Sequence, residues 1–379
     1  MKNRISFKLD VRAYTLIIAL IMIFVVFTIL TNGDFISSRN ITNLSRQMTV
    51  IGILAVGMTL IIVAGHIDLS VGSLLGLTGG IAAILQVWYG WSTFPVIIVT
   101  ILAGILLGLW QGWWVAYKGV PAFIVTLGGM MIFRGILLGI SGGQTVAPMN
   151  ESFRVIGQAY IPYVIGYLLT AVLIVFAFIM VARKRKRRQK LDLALSPVSF
   201  DYGTVIVFSV LITLFVYMLN RYHGIPVPLL ILLVIAGIFI FVSKNTTFGR
   251  HIYAIGGNPE AAKLSGINIK RNILSVFVIM GALSAVAGMV LTSRLNAGTV
   301  SAGQMYELDA IAAVVIGGTS LMGGVGTIVG SILGALIMAS IDNGMSMMNV
   351  PPFWQYIVKG MILILAVWLD ISSKKKTAS

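Results

Sequence analysis

Apolar residues in this chain run on in blocks rather than alternating or recurring at amphipathic spacing. After a basic opening over residues 1–12, an apolar run covers Ala13–Leu30. Further runs cover roughly 49–64, 70–87, 95–116, 122–140, 162–182, 203–219, 225–242, 273–292 and 353–369. Each is near the 17–25 residues that a helix needs to cross a bilayer, the second being slightly short. No small-residue cleavage site follows the first run, which therefore reads as a retained span rather than a signal peptide.

Two regions break the pattern. One is Ala64-Gly-His-Ile-Asp-Leu-Ser-Val-Gly72, between the second and third runs. The other is Ile316-Gly-Gly-Thr-Ser-Leu-Met-Gly-Gly-Val-Gly326, inside 308–342. Interrupted apolar segments in corresponding parts of two halves point to a transport pathway near the midplane. An ordinary tight turn between hairpinned spans is the plainer reading of the first. Glycines also recur at spacing four, as Gly104, Gly108 and Gly112 and as Gly326, Gly330 and Gly334. Each row puts small residues on one helix face and admits a close neighbour, by default within the chain.

The position of the charges orients these runs. Of 27 Lys and Arg, four lie in residues 1–12, one at Lys118 and seven in Arg183–Lys190. Five more lie in 243–272 and three at Lys374–Lys376. Counting alternately from a cytoplasmic N-terminus places all of these clusters inside, as the positive-inside rule requires. A cytoplasmic C-terminus needs an even number of crossings, so 308–342 must enter and leave on one side. It does so either as a re-entrant half-helix plus hairpin or as two short spans, for ten crossings or twelve. The chain is thus expected to be one all-α polytopic membrane domain over 1–379. It has about ten transmembrane helices plus the broken region, both termini in the cytoplasm, and cytoplasmic loops at 183–201 (basic) and 243–272.

Composition agrees. The 379 residues are 58% hydrophobic and only 10% charged, with mean hydropathy +0.99, against about 25% charged in soluble domains. Net charge +16 would suit nucleic acid, but its distribution between apolar runs assigns it to membrane topology and excludes a nucleic-acid partner. With no cysteine, disulfide and thiolate chemistry are absent.

The most polar and turn-rich stretch inside the oily chain is Phe248–Gly266. Asn258 is a helix cap, Pro259 suits the first helical position, and Glu260 sits in the first turn, where the dipole favours an anion. Lys263 falls near the end and Gly266 closes the helix. Two turns do not hold as an isolated helix in water, where about 12–15 residues are marginal. It docks on another protein or lies on its own bundle.

Arg134 and Lys359 fall inside apparent spans, where a charge costs about 2.5–3.5 kcal/mol. They should face the interior and find acids, with Asp68, Asp309 and Asp342 available and Glu307 more marginal. These groups are either gate locks and pathway lining or buried structural pairs and snorkelling side chains. Asp68 and Ser70 also suit a cap on the third span. The three histidines, His66, His223 and His251, have no metal-ligand spacing, and the chain contains no Gly-Lys dipeptide and no Gly-x-Ser-x-Gly elbow. No metal site, ATPase loop or hydrolase nucleophile is legible.

Tyr253-Ala-Ile-Gly-Gly-Asn-Pro-Glu-Ala-Ala-Lys-Leu-Ser-Gly-Ile267 resembles the cytoplasmic loop of monosaccharide permeases of bacterial ABC importers, the ribose/xylose/arabinose group. Ile67-Asp-Leu-Ser-Val-Gly72, Leu308-Asp-Ala-Ile-Ala-Ala313, Ile316-Gly-Gly-Thr-Ser320 and Asp342-Asn-Gly-Met-Ser-Met-Met348 resemble the same family in the same order. The extra spans around Arg183–Lys190, with Trp113–Tyr117 and Phe353–Lys359, resemble its longer, xylose-type members. His66 stands where the family commonly has Gly or an acid.

The resemblance implies a multi-pass protein of the bacterial inner membrane, working as a homodimer embedded in lipid. It implies a cytoplasmic ATPase carrying ATP and Mg, no cofactor on this chain, and an extracytoplasmic sugar-binding protein. Asn258, Pro259, Glu260, Ala261, Ala262 and Gly266 carry the ATPase-coupling pattern, the two small alanines permitting a close fit. Asp68, Ser70, Arg134, Asp309, Asp342 and Lys359 are the candidate pathway or gate residues. The implied cargo is a pentose, D-xylose, with arabinose or galactose as alternatives. The rival from another class is an ion-coupled carrier, which needs acidic or polar groups at the midplane and no docked helix.

Overall fold

A computed structural model describes residues 11–191, 193 and 196–378. Lys2, Arg4 and Lys8 lie outside the described residues, as do the side chains of Lys374–Lys376. Helix α1 (Val11–Leu30) leads through a 3-10 turn into α2 (Ser38–Val63), followed by α3 (Val71–Val87), α4 (Thr93–Ala116) and α5 (Ala122–Ser141). Short α6 (Glu151–Gln158) precedes α7 (Tyr163–Lys190), α8 (Val198–Asn220) and α9 (Val227–Asn245). The polar loop folds as α10 (Thr247–Gly257) and α11 (Pro259–Leu264) before α12 (Ile269–Leu295). Then come α13 (Tyr306–Ile316), α14 (Ile328–Met347) and α15 (Pro352–Ala378). A two-residue antiparallel ladder joins Tyr160–Ile161 to Ile225–Pro226.

Nine helices among the described residues are long and apolar enough to cross a membrane, and Thr15–Leu30 and Val71–Val87 are shorter apolar helices. The chain is an all-α polytopic membrane protein. At its centre lies α2, 89% of whose most apolar stretch is buried, against 11% for α7 and 17% for α8. α2 starts well before the apolar run at 49. Ser37 caps it, its Oγ accepting from Asn40 N–H at 3.3 Å. The polar residues of its first turns are met inside the protein. Asn40 Nδ2 donates to Asn343 Oδ1 at 2.8 Å, and Arg46 donates to the Gly157 carbonyl at 2.8 Å.

The segment expected as a basic loop at 183–201 is mostly helix, since α7 runs on through Arg183–Lys190 and α8 begins at Val198. Lys and Arg are good helix formers and favour a helix C-terminus. Arg185 pairs with Asp201 across this peripheral hairpin. Because α7 and α9 both start from the small strand ladder, Arg183–Lys190 points to the end of the bundle where α9 runs into α10. Lys270 lies 5.8 Å from the centre of the Tyr117 ring, which puts the end of α4 beside the start of α12 at that same end.

Residues 308–342 break into two unequal helices. α13, with eleven residues, is about 16 Å long and spans only half of a bilayer core of about 30 Å. Irregular backbone at 296–305 supplies the rest of the descent from the far end of α12. The 317–327 turn then lies against α10, and α14 returns over twenty residues. Besides this broken segment, the described residues hold eleven apolar helices, nine long and two shorter.

Both glycine rows pack within the chain. Cβ positions built at Gly104, Gly108 and Gly112 meet α12, at 2.7 Å from Ala285 Cβ, 3.1 Å from Val278 Cα and 3.0 Å from Phe277 Cβ. Gly330 and Gly334 lie against the Gly317 and Ala313 carbonyls of α13, while Gly326 faces Thr319. Gly281→Val, facing Gly104 and Gly108, should destabilise the protein by about 1–3 kcal/mol or more. Gly135→Ala, which adds its methyl to open space, should change nothing; thermal unfolding in detergent reads both.

Candidate functional site

The polar loop is built as its residues dictate. Asn258 Oδ1 accepts from Ala261 N–H at 3.0 Å, Pro259 opens α11, and Gly266 leaves it at φ +79°. Glu260 and Ala261 are exposed on its outer side. Ala262 is turned the other way, 4% exposed against the chain's own bundle, so of the two alanines only Ala261 is open on the surface. Leu264 stands beside it. It is 89% exposed, a large aliphatic group standing out of a polar loop. No polar or turn signal marks it in the sequence.

Behind α11, α10 is held to the 317–327 turn backbone to backbone. Gly324 N–H donates to the Val63 carbonyl at the end of α2, 2.9 Å away. A Cβ at Gly324 would lie 2.8 Å from Gly257 Cα, and one at Gly323 would lie 2.8 Å from the Gly256 carbonyl oxygen. A Cβ at Gly256 would collide with the Val63 carbonyl. Tyr253 Oη donates to the Gly326 carbonyl at 2.8 Å. Burial pushes the Tyr253 phenol up, which keeps it the donor at neutral pH. The loop therefore touches the end of α2 and the connection between α13 and α14 with almost no side chain between. The doublets Gly256-Gly257 and Gly323-Gly324 are the sequence signal for this junction; their meeting is visible only in three dimensions.

The charges deep in the bundle divide into three places. Lys359 of α15 sits between two acids, 3.0 Å from Asp309 Oδ2 of α13 and 2.7 Å from Asp342 Oδ2 of α14. Asp309 is only 2% exposed, and Asp342 Oδ1 is buried with no hydrogen-bond partner among the described residues. Of the acids expected for Arg134, the marginal Glu307 is the one near enough to act on it by charge, but Arg134 makes no direct ion pair among the described residues. Its Nη1 donates to the carbonyls of Val300 at 2.5 Å and Ala302 at 3.0 Å, fixing the irregular 296–305 segment. Unsatisfied carbonyls inside a bundle are as strong a demand as a carboxylate.

The third place is the α2–α3 break. There Asp68 Oδ1 accepts from Ser70 N–H at 2.8 Å and from its Oγ at 2.6 Å, and Gln111 Nε2 donates to Ser70 Oγ at 2.7 Å. Asp68 thus closes a local turn onto Ser70, and Ser70 makes no side-chain cap on α3 as had been expected. The candidate gate residues do not form one cluster: Asp309, Asp342 and Lys359 meet in one place, Asp68 and Ser70 in another, and Arg134 stands apart from both.

Residues 40–367 match the family described as branched-chain amino acid transport system / permease component. The chain belongs to this family. It is 51% identical over 369 residues to the xylose transport system permease protein XylH of Haemophilus influenzae, covering 97% of this chain and 98% of that protein. It is 52% identical to XylH of Escherichia coli K12, covering 98% and 94%. To the ribose import permease protein RbsC of Haemophilus influenzae it is 36% identical, covering 98% and 97%. No solved structure matches the chain.

In this permease the Lys359 bridge ties the last helix to the broken one. Removing the cation leaves two carboxylates facing each other in a buried place. Lys359→Ala should destabilise the permease by about 3–5 kcal/mol, while the uncharged triple variant D309N/D342N/K359M should recover most of that loss. Thermal unfolding of the purified variants in detergent checks both.

Proposed function

We propose that this permease is the membrane-spanning subunit of an ATP-driven importer of D-xylose in a bacterial inner membrane. Two copies form the path. A cytoplasmic ATPase supplies ATP and Mg, and an extracytoplasmic binding protein delivers the sugar. The observation that carries the reading is the 51–52% identity to xylose permeases over nearly the whole chain.

The geometry supplies a mechanism. The end of the bundle holding α10 and α11 also holds Lys118, Lys270 and the Arg183–Lys190 turns, so it faces the cytoplasm. There α11 offers Glu260 for a basic rim and Leu264 for an apolar pocket. Covering a leucine is worth about 1.5–3 kcal/mol. Closure of a nucleotide-loaded ATPase then moves α11 and α10. The glycine junction passes that displacement to α2 and to the α13–α14 turn, and α13 ends in the Lys359 bridge. ATP acts by binding one conformation of this system better than the other.

The Asp309–Lys359–Asp342 cluster is what favours the ion-coupled carrier as second reading, since such carriers need ionisable groups at depth. Proteoliposomes holding the permease alone, under a proton or sodium gradient, separate the two. Uphill xylose movement there without nucleotide would reject the importer. ATP-dependent uptake only with ATPase and binding protein present supports it.

Two variants separate docking from transmission. Glu260→Arg should abolish co-purification with the ATPase. Gly256→Ala should keep the ATPase attached yet lower xylose uptake at least tenfold. Full uptake by both would remove the coupling role from this loop.

A further inference from the structure

Beside the glycine junction, a cavity of about 390 Å³ opens between the end of α9, α10 and the first turn of α14. Its wall carries two cations, Lys244 and Arg250, and no acidic side chain. Neither cation makes an ion pair with any described residue; the acids that pair do so elsewhere, at Glu151, Asp201, Asp309 and Asp342. The rest of the wall is largely apolar, with Ile240, Ile328 and Val329. Above it, Val234, Ile238 and Phe241 continue an exposed apolar stripe up α9.

Positive charge at one end of an open cavity and hydrocarbon along the other matches an amphiphile with an anionic head. The α9–α10 corner, on the orientation adopted above, sits at the cytoplasmic headgroup level, where anionic phospholipids lie and basic pockets attract them. We infer that this cavity holds the phosphate of an anionic phospholipid of the cytoplasmic leaflet on Lys244 and Arg250, with an acyl chain along Ile240, Ile328 and Val329. The first turn of α14 opens into the same space and adds its dipole to the potential there. Tyr253, which ties α10 to Gly326, also lines the cavity. A lipid seated there braces the contact through which the loop reaches α14.

The test measures lipid retained by the permease alone, so its result does not depend on transport or on the ATPase. Purified wild type and K244A/R250A are placed in nanodiscs of mixed phosphatidylglycerol and phosphatidylcholine, and retained lipid is counted by native mass spectrometry on release. Wild type is expected to retain phosphatidylglycerol over phosphatidylcholine. Each cation near the membrane surface is worth about fivefold, so the double variant should retain about thirtyfold less. K244R/R250K should restore retention, which rules out misfolding as the cause. Millimolar inorganic phosphate should not displace the lipid. Three outcomes would overturn the inference: equal retention of both lipids by wild type, unchanged retention in K244A/R250A, and complete displacement by inorganic phosphate, which would make this a free-phosphate site. Loss of ATPase co-purification in K244A/R250A with lipid retention intact would assign the cations to a protein surface instead.

Discussion

A backbone amide or carbonyl at membrane depth has no water to bond, so wherever a helix breaks the protein itself must supply the partner. This permease breaks its helices in three stretches, and each is answered by a different device. At 64–70 the Asp68 carboxylate takes the Ser70 amide while Thr126 Oγ1 reaches the Ile67 carbonyl at 3.4 Å. At 296–305 the Arg134 guanidinium covers two carbonyls, and Val146 and Gly298 exchange backbone bonds at 2.9 Å. At 317–327 the turn closes on itself through Ser320 N–H to the Val325 carbonyl, and on α2 through Gly324. Such answers require protein on every side. That is why the broken segments lie against α2, α3 and α5 inside the bundle, while the unbroken hairpin of α7 and α8 stays at the periphery.

The same constraint makes the cytoplasmic junction stiff. Where Gly256 and Gly257 meet Gly323 and Gly324, no side chain lies between the backbones to absorb a displacement by changing rotamer. On the proposed coupling, a push on α11 reaches α2 and the head of α14 as movement of backbone. α13 is short because it shares its traverse with the 296–305 segment, and it is bounded by Arg134's contacts at one end and the junction at the other. Its first turn is gripped by Lys359 through Asp309.

The buried cations show two solutions to one desolvation problem. Lys359, a compact ammonium, takes two carboxylates from two helices and so joins three helices. Arg134, with its planar fork, satisfies carbonyls that have lost their helical partners. Lys244 and Arg250, at the cytoplasmic corner, have neither kind of partner among the described residues. Their free charge there fits a site completed by the membrane itself.

Much of this was legible in the chain. The apolar blocks placed the spans, because a helix crossing a bilayer needs an unbroken run of a set length. The basic clusters oriented them, and Asn258, Pro259 and Gly266 specified α11, because caps are local chemistry. What depended on distant contacts was not legible. The polar start of α2 hid a continuous helix, since Asn40 finds Asn343 only 303 residues away. Arg134 has Glu307 nearby, but its hydrogen bonds go to carbonyls whose loss of helical partners no local pattern reveals. That Ala262 is buried and Leu264 exposed was not legible either, because which face of a two-turn helix looks outward is decided by how its ends are anchored. The sequence by itself determined the spans, their direction and the capped knob, all set by interactions within a few residues or by the thickness of the bilayer. Only the tertiary structure decided which breaks are bridged by which groups, and that two glycine doublets far apart in the chain form one joint, since packing between backbones leaves no side-chain signature to read.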